Sequence, residues 1–232
     1  MQCSVTAVRR YPVKSMGGED LAVAELDARG LAGDRWYAVV DDERRLASGK
    51  DSRRFRRRDT VFDYAAHTGP GGRVTVSRGD EHWRVGDPLL DRRLSEDMGA
   101  SVRVTPEADL PHQDMGAVSI VSTASLQWCA DRWGGRPDPR RLRVNIVLES
   151  DEPFVEDRWT DIELGTARLR VVERIPRCRM IDIVQDGADP GASWLRPLGQ
   201  ERDLCLAVYA DVVRPGHVRL GDRVTAWSAT AT

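Results

Sequence analysis

Residues 215–224 have the sequence Pro-Gly-His-Val-Arg-Leu-Gly-Asp-Arg-Val. Two short β-rich segments, residues 218–220 and 224–227, flank the pair Gly221-Asp222. Alternation of apolar and polar residues is typical of a strand with one buried face, and a Gly-Asp pair tolerates the positive φ angles of tight turns. The stretch therefore predicts two strands joined by a hairpin turn at Gly221-Asp222.

The same arrangement of short β-rich segments and turns recurs along the whole chain. Further Gly-Asp pairs occur at Gly33-Asp34, Gly79-Asp80 and Gly86-Asp87. Other β-rich segments are residues 21–26, 36–40, 73–76, 102–104, 144–148, 167–172 and 204–213. Such turns suit antiparallel connections better than crossover helices. We therefore expect a mainly antiparallel sheet or barrel.

Two helices interrupt this pattern. The first is predicted from Pro88 to Met98, with Asp87 as its cap and Gly99 at its end. The second is predicted from Thr123 to Trp133, where Leu126, Cys129 and Trp133 form one apolar stripe. The fold class is therefore α+β, mainly β, with a few short helices. A soft domain boundary is expected between residues 1–97 and 98–232.

Composition excludes some classes of function. Thirty-five basic residues are nearly balanced by thirty-seven acidic ones, so the net charge of −2 implies no general affinity for nucleic acid. The basic run at residues 53–58 is expected to be a solvated loop or strand edge rather than a base-stacking surface. No apolar stretch approaches the length of a membrane span, and no signal peptide is evident. These observations predict a cytoplasmic protein with no membrane or nucleic-acid partner.

The four cysteines are scattered at positions 3, 129, 178 and 205. They have no paired C-x-x-C spacing and no nearby histidines, so neither a disulfide framework nor structural zinc is supported. Cys129 is expected in the core. Cys178 differs because Arg177 and Arg179 flank it, and adjacent positive charge favours the thiolate form. Cys178 is therefore interpreted as a nucleophile or a metal ligand, with a buried, inert thiol as the alternative.

Six segments occur in a fixed order along the chain: residues 11–16, 30–39, 142–147, 153–159, 177–178 and 215–224. This series resembles the MOSC family, named for the molybdenum cofactor sulfurase C-terminal domain, together with its N-terminal β-barrel partner. Within that family, the chain is most similar to the branch that includes the mitochondrial amidoxime-reducing component and its bacterial counterparts. The resemblance implies an N-terminal barrel-like subdomain packed against a C-terminal MOSC β-barrel. It also implies one site between them, with Lys14 and Cys178 close together.

The resemblance further implies a molybdenum cofactor in this site. Cys178 matches the cysteine that ligates molybdenum, a role that suits a charge-assisted thiolate. The positions that match cofactor-binding residues of the family are Lys14, Ser15, Arg35, Arg143, Asn145, Arg177 and Tyr209. Taken without the family, the basic residues could form surface ion pairs, Asn145 could satisfy neighbouring backbone groups, and Tyr209 could pack in the core.

The sequence also departs from the amidoxime-reducing branch. Met115 and Gly116 stand where those relatives carry hydroxyl side chains, and Pro176 replaces a small polar residue before the Arg177-Cys178 pair. Asp182 lies near Cys178 in sequence, but it is expected at a solvent-facing strand position. No general acid is assigned.

The function implied by the resemblance is that of a molybdenum-pterin-dependent oxidoreductase. Its expected substrates are small N-oxygenated compounds such as amidoximes, hydroxylamines and N-hydroxylated bases. The electrons are expected from a separate electron-transfer protein. Two alternatives remain open: sulfur transfer through a persulfide on Cys178, and a role as a molybdenum cofactor carrier.

Overall fold

The computed structural model describes residues 3–228. Its strands are β1 Cys3–Arg10, β2 Glu19–Asp20, β3 Val23–Asp27, β4 Gly30–Leu31, β5 Tyr37–Asp41, β6 Leu46–Ser48, β7 Phe55–Arg57, β8 Ala65–Thr68, β9 Val74–Arg78, β10 Glu81–Arg84, β11 Val102–Pro106, β12 Val118–Ser122, β13 Ile146–Leu148, β14 Trp159–Leu164, β15 Ala167–Pro176, β16 Cys205–Arg214, β17 Gly216–Arg219 and β18 Arg223–Ser228. The α-helices are α1 Pro88–Met98, α2 Thr123–Trp133 and α3 Leu195–Glu201. Short 3-10 turns occupy Asp59–Asp63, Pro70–Gly72, Pro139–Leu142, Val155–Arg158 and Arg179–Asp182.

Seven strands close into a barrel in the order β13-β12-β16-β15-β14-β18-β1. The barrel closes because β1 pairs with β13 on one side and with β18 on the other. Only β12 and β13 run parallel within this ring of described strands. Alternate residues point inward and form an apolar core that includes Ile120, Ile146, Ile162 and Leu169. The expected mainly β fold is confirmed.

The remaining sheets lie mostly in the N-terminal half. One contains β11, β5, β6 and β7, and another contains β10, β9 and β8. Helix α1 contributes Leu90 and Leu94 to the same apolar cluster as Val61 and Val76. The predicted bounds of α1 and α2 are confirmed. Capping is local: the side chain of Asp87 accepts a hydrogen bond from the backbone N–H of Leu89.

The Gly-Asp pairs do not all close hairpins. Gly79-Asp80 joins β9 to β10, with Arg78 opposite Glu81. The predicted hairpin at Gly221-Asp222 is wrong, because β17 pairs with β3 whereas β18 pairs with β1 and β14. This turn carries the chain from one sheet to another, and the carboxylate of Asp222 fixes it by accepting from the N–H of Arg219.

Strand pairing crosses the expected boundary between residues 97 and 98 in both directions. Strand β1 belongs to the large barrel, and β11 pairs with β5 in the N-terminal sheet. The division into residues 1–97 and 98–232 stays a prediction. No helix within residues 3–228 is long and apolar enough to cross a membrane. The cytoplasmic location also stays a prediction.

Candidate active site

A cleft of about 250 Å³ separates the N-terminal half from the barrel. Seven of the eight site residues expected from the sequence line it: Lys14, Ser15, Arg35, Arg143, Arg177, Cys178 and Tyr209. Segments that are far apart in sequence therefore converge, and Lys14 and Cys178 share one cleft as expected. The structure does not test the roles of these residues, which stay predictions.

Three of the lining residues have left-handed backbone conformations. The φ angles are 70° at Ser15, 53° at Arg35 and 54° at Arg143. Residues with a Cβ atom rarely adopt such angles, and they keep them only where their surroundings impose them. The N–H of Arg35 donates to the Tyr11 carbonyl, and the Ser15 hydroxyl donates to the Ala47 carbonyl. A cluster of strained residues around one cleft indicates a functional site.

The ring of Tyr11 supports two of the cleft's guanidinium groups. The Cζ atoms of Arg35 and Arg143 lie 5.2 and 4.2 Å from the ring centroid. The carboxylate of Asp34 pairs with Arg35 and also accepts from the backbone N–H of Tyr11 at 2.8 Å. Burial raises the pKa of Tyr11 to about 12, so its hydroxyl stays neutral. The aromatic face thus allows two like charges to sit near each other.

Besides Nε of Arg54, two buried guanidinium nitrogens of the described residues that line the cleft have no hydrogen-bond partner. They are Nη1 of Arg143 and Nη2 of Arg177. The other nitrogens of Arg177 are fixed, with Nε donating to the Leu206 carbonyl at 2.7 Å and Nη1 to the Leu142 carbonyl at 2.9 Å. Burial lowers the pKa of Arg177 to about 10, which still leaves it charged at neutral pH. Because buried donors are usually satisfied, these two are suited to a ligand rich in acceptor oxygens.

Cys178 lies at the end of β15 and carries a free, half-buried thiol. Of its two neighbouring arginines, only Arg177 lines the cleft. Arg179 turns to the N-terminal half, where it pairs with Asp59 at 2.8 Å and donates to the Gly49 carbonyl at 2.7 Å. The cysteine segment is therefore tied to both halves of the molecule.

The remaining cysteines do not line the cleft. Cys3 and Cys129 are buried, and Cys205 is half-buried. Burial raises the pKa of Cys129 to about 12, in agreement with the expected core position. Within residues 3–228, no three His, Cys, Asp or Glu side chains are grouped so that they could hold a metal ion.

Sequence reasoning missed several residues of the cleft. Lys50, Arg54, Phe55, Asp114 and Arg141 all line it. The expected strand edge is present, since β7 is the edge strand of its sheet, but the run is not solvated throughout, because Phe55 is buried and Arg54 lines the cleft. Phe55, the aromatic residue inside the basic run, is the sequence feature that could have identified this part of the cleft.

Asp114 faces the basic residues at the mouth of the cleft. Its Oδ1 atom lies 3.1 Å from Nζ of Lys14 and 3.8 Å from Nζ of Lys50. Burial lowers the pKa of Lys14 to about 8, although the neighbouring carboxylate partly offsets this effect. Burial also opposes ionisation of Asp114, but Lys14, Lys50 and Arg35 outweigh it and hold its pKa below the usual range.

Asn145 is the expected site residue that lies outside the main cleft. Its Oδ1 atom accepts from the backbone and the hydroxyl of Ser119, and its Nδ2 atom donates to the Arg9 carbonyl at 3.3 Å. These bonds join β12, β13 and β1. The side chain also borders a small adjoining pocket with Tyr209. Its role as a cofactor contact stays a prediction.

Gly116 shows why the chain departs from a hydroxyl residue at this position. A Cβ atom there would lie 2.5 Å from the Cβ atom of Tyr209, which leaves no room for a side chain.

The position of Asp182 differs from the expectation. It lies in a 3-10 turn rather than a strand, and its carboxylate accepts from the N–H of Trp194 at 2.7 Å and pairs with Arg141.

Fold and site together define a class: a closed β-barrel protein whose cleft holds several guanidinium groups and a free thiol. The family models give this class a name. The MOSC domain model matches residues 107–225, and the MOSC N-terminal beta barrel domain model matches residues 2–57. The chain belongs to the MOSC domain family.

Individual relatives are distant. The molybdenum cofactor sulfurase of Danio rerio is 35% identical over 63 residues, which are 27% of this chain and 8% of that protein. The mitochondrial amidoxime-reducing component 1 of Mus musculus is 26% identical over 152 residues, which are 60% of this chain and 44% of that protein. The chain therefore spans less than half the length of these curated relatives.

A solved structure supports the fold alone. The YUAD protein from Bacillus subtilis superposes with a TM-score of 0.51 at 13% sequence identity. The superposition covers 99% of this chain and 98% of that one. The similarity therefore extends through both halves of the molecule.

Proposed function

We propose that this protein is a molybdenum-pterin-dependent oxidoreductase that reduces small N-oxygenated compounds, with electrons from a separate electron-transfer protein. One observation carries the proposal. The thiol of Cys178 shares a cleft with buried guanidinium nitrogens of Arg143 and Arg177 that lack protein partners. Membership of the MOSC family and similarity to the mitochondrial amidoxime-reducing component 1 of Mus musculus support the reductase class.

The residues of the cleft fit such a cofactor. A pterin phosphate presents several acceptor oxygens and negative charge, which would satisfy the free nitrogens of Arg143 and Arg177. A soft thiolate is suited to a sulfur-rich metal centre. The cleft needs no cluster of protein ligands when the cofactor contributes its own sulfurs. Cys178 would then be the protein's ligand to the metal.

When bound, the cofactor would supply two-electron chemistry that removes oxygen from an N–O bond. The chain's own residues would hold and orient it. Arg143 and Arg177 would bind its oxygens, and the bonds of Arg177 to two backbone carbonyls would fix that guanidinium in place. Lys14, protonated at neutral pH, would add positive charge at the cleft mouth.

Metal and pterin analysis tests this proposal. The full-length chain should be purified from a host that makes the molybdenum cofactor, as wild type, Cys178→Ala and Cys205→Ser. Cys205 is the matched control because it is also half-buried but lies outside the cleft lining. We expect about one molybdenum per chain in wild type and Cys205→Ser, and loss of the metal in Cys178→Ala. An amidoxime should be reduced, with a reduced viologen as electron source, only by the variants that contain metal.

Sulfur transfer is the second candidate. It is favoured by the incomplete burial of the Cys178 thiol and by similarity to the molybdenum cofactor sulfurase of Danio rerio. A persulfide on Cys178 would pass sulfur to an acceptor. Wild-type protein free of molybdenum, but with a persulfide that Cys178→Ala lacks, would favour this candidate. Rapid transfer of bound cofactor to an apo-enzyme, without reductase turnover, would instead indicate a cofactor carrier.

A further inference from the structure

A second concave site lies on the outside of the barrel and shares no lining residue with the Cys178 cleft. This outer groove lies between β1, the segment 136–140 and the entry to β13. Its volume of about 430 Å³ exceeds that of the cleft and falls in the range of small-molecule sites, roughly 300–1,000 Å³. The outer groove is therefore large enough for a ligand of its own.

The floor of the outer groove is apolar. Ala7 of β1 and Val147 of β13 are paired across the two strands, and Val144 lies just before β13. All three belong to the apolar cluster around Leu126 of α2, which is distinct from the cluster inside the barrel. Because Val144 and Val147 are buried, the floor is a fixed surface. A ligand with an apolar body would cover it and remove it from water.

One wall of the outer groove is held in shape by bonds within the chain. This wall is the segment 136–140, with the sequence Arg-Pro-Asp-Pro-Arg, in which the two prolines fix their own φ angles. The carboxylate of Asp138 accepts from the backbone N–H of Arg140 at 2.9 Å and from its Nη2 at 2.6 Å. Nη1 of Arg140 donates to the Asp186 carbonyl at 3.0 Å. A ligand would therefore have little to order on binding.

The charged groups of the outer groove are unequally used. Arg9 pairs with Asp20 at 2.5 Å and with Asp186, which does not line the groove, at 2.7 Å. Arg140 is paired within the wall. Arg136 is exposed, and its side chain has no hydrogen bond or ion pair with any residue from 3 to 228. One guanidinium group is thus left for an anion.

We propose that the outer groove binds a small monocarboxylate with an apolar body, and that Arg136 holds the carboxylate while the body covers the floor. A guanidinium group can form a two-point hydrogen-bonded pair with a carboxylate. An inorganic anion would leave the floor uncovered, and a neutral apolar compound would leave Arg136 unused. The Asp20 side chain, 79% exposed, disfavours a ligand with a second negative charge. This site goes beyond the proposed function, because it needs neither the metal nor the cleft.

Methyl NMR of the 232-residue chain tests the site, because Ala7, Val144 and Val147 place methyl groups on the floor. The probes are hexanoate, hexanamide and acetate, which separate the effect of the charge from that of the apolar body. Hexanoate should shift these methyl signals and bind at least about fivefold more tightly than either other probe. The same order is expected whether or not the chain contains molybdenum.

Arg136→Gln keeps a polar side chain but removes the charge, so hexanoate should bind about fivefold more weakly while the affinity for hexanamide stays the same. Arg196→Gln is the matched control. Arg196 is also exposed, also precedes a proline and has no ion pair with any residue from 3 to 228, but it lies outside the groove. This variant should bind hexanoate within about twofold of wild type.

Ala7→Leu tests the floor, because a larger side chain there fills part of the groove. It should weaken the binding of hexanoate and hexanamide alike. The methyl signals of Ile162 and Leu169, inside the barrel, report whether the variant is folded. If it does not fold, the comparison of Arg136→Gln with Arg196→Gln still decides the proposal.

Several results would overturn the proposal. Equal weakening by Arg136→Gln and Arg196→Gln would indicate only a general charge effect. Equal affinities for hexanoate and hexanamide would leave Arg136 without a role, and equal affinities for hexanoate and acetate would leave the floor without one. Floor methyl signals that shift with protein concentration alone would show that a second copy of the chain covers the groove.

Discussion

Arg141 and Arg143 are both buried, lie two residues apart and line the same cleft, yet their guanidinium groups have different surroundings. Arg141 packs 3.6 Å from the ring centroid of Trp194, and all three of its guanidinium nitrogens donate hydrogen bonds. Its acceptors are the carbonyls of Ile181, Pro190 and Ala192 and the carboxylate of Asp182. Arg143 packs on Tyr11, and its Nη1 has no partner.

The difference teaches that burial does not by itself mark a functional arginine. A guanidinium whose donors are all used by the protein stabilises the fold around it. A buried guanidinium that keeps one unpaired donor is suited to bind a ligand from outside the chain. The satisfied region around Trp194 and the unsatisfied region around Tyr11 should therefore respond differently to the same substitution.

The largest effect is expected from Arg141→Met. Loss of this side chain leaves three carbonyls without their donor and removes the cation that pairs with Asp182, and breaking a buried pair destabilises by about 3–5 kcal/mol. Urea-induced unfolding followed by tryptophan fluorescence would measure the change in free energy. A loss below about 1 kcal/mol would contradict the structural role of Arg141.

Arg143→Met should change the stability of the fold little but weaken anion binding strongly. Burial disfavours its charge and lowers its pKa, so its removal should change the free energy of unfolding by no more than about 1 kcal/mol. Pyrophosphate affinity of the cofactor-free chain should fall by at least about tenfold, because a buried charged donor is lost. Calorimetry and urea unfolding on the same preparation measure both quantities. Equal destabilisation by Arg141→Met and Arg143→Met would remove the distinction between the two regions.

The pH dependence of anion binding sharpens the comparison at the cleft mouth. Burial lowers the pKa of Lys14 to about 8, so Lys14 loses its charge between pH 7 and 9. Asp114 and Arg35 stay charged over this range, and His112 stays neutral because burial lowers its pKa to about 4. Affinity for sulfate, whose charge is constant here, should fall by up to about tenfold from pH 7 to 9.

A Lys14→Met variant provides the control for that profile, because its affinity should be low and nearly independent of pH. Between pH 8 and the ordinary lysine pKa, the contribution of Lys14 to folding stability changes with pH in the opposite direction to its contribution to anion affinity. The folded state binds fewer protons than the unfolded state between pH 8 and the ordinary lysine value, so the contribution of Lys14 to stability rises across that window. A flat sulfate profile in wild type would contradict the assigned role of Lys14.

The smallest expected effect on the free energy of unfolding comes from relief of backbone strain at Ala207. Ala207 has a φ of 73° where β16 carries one more residue than β15, between the pairs Val208–Arg174 and Cys205–Pro176. Glycine should relieve this strain, so Ala207→Gly should stabilise the fold by about 0.5–1 kcal/mol. Ala210→Gly, in the same strand but without a positive φ, should destabilise it. Thermal unfolding compares the two.

Local sequence signals predicted the helices well. The ends of α1 and α2 follow from caps and glycines that act within a few residues, such as Asp87 and Gly99. The turn at Gly221-Asp222 was recognised, but the choice of partner strand was not, because a turn's chemistry does not determine which distant strand competes for pairing.

Most of the candidate cleft followed from the order of family segments rather than from any single residue. The contact between Lys50 and Asp114 did not, because these residues come together only when the connection from β11 to β12, residues 107–117, lies beside the connection from β6 to β7. Neither residue has a local signature of its own. Free donors such as Nε of Arg54 are visible only once every other partner in the fold has been located.

The pairing of β1 has a consequence for biosynthesis. Its neighbours β13 and β18 lie far along the chain, and Thr6 bonds to Val147 across 141 residues. During translation this strand leaves the ribosome long before either neighbour exists. Apart from the early pairing of Arg9 and Arg10 with β2, its edges are open to other chains. Barrel closure therefore awaits synthesis of β18, and we expect nascent chains that stop before Ile146 to depend on chaperones that cover exposed strands.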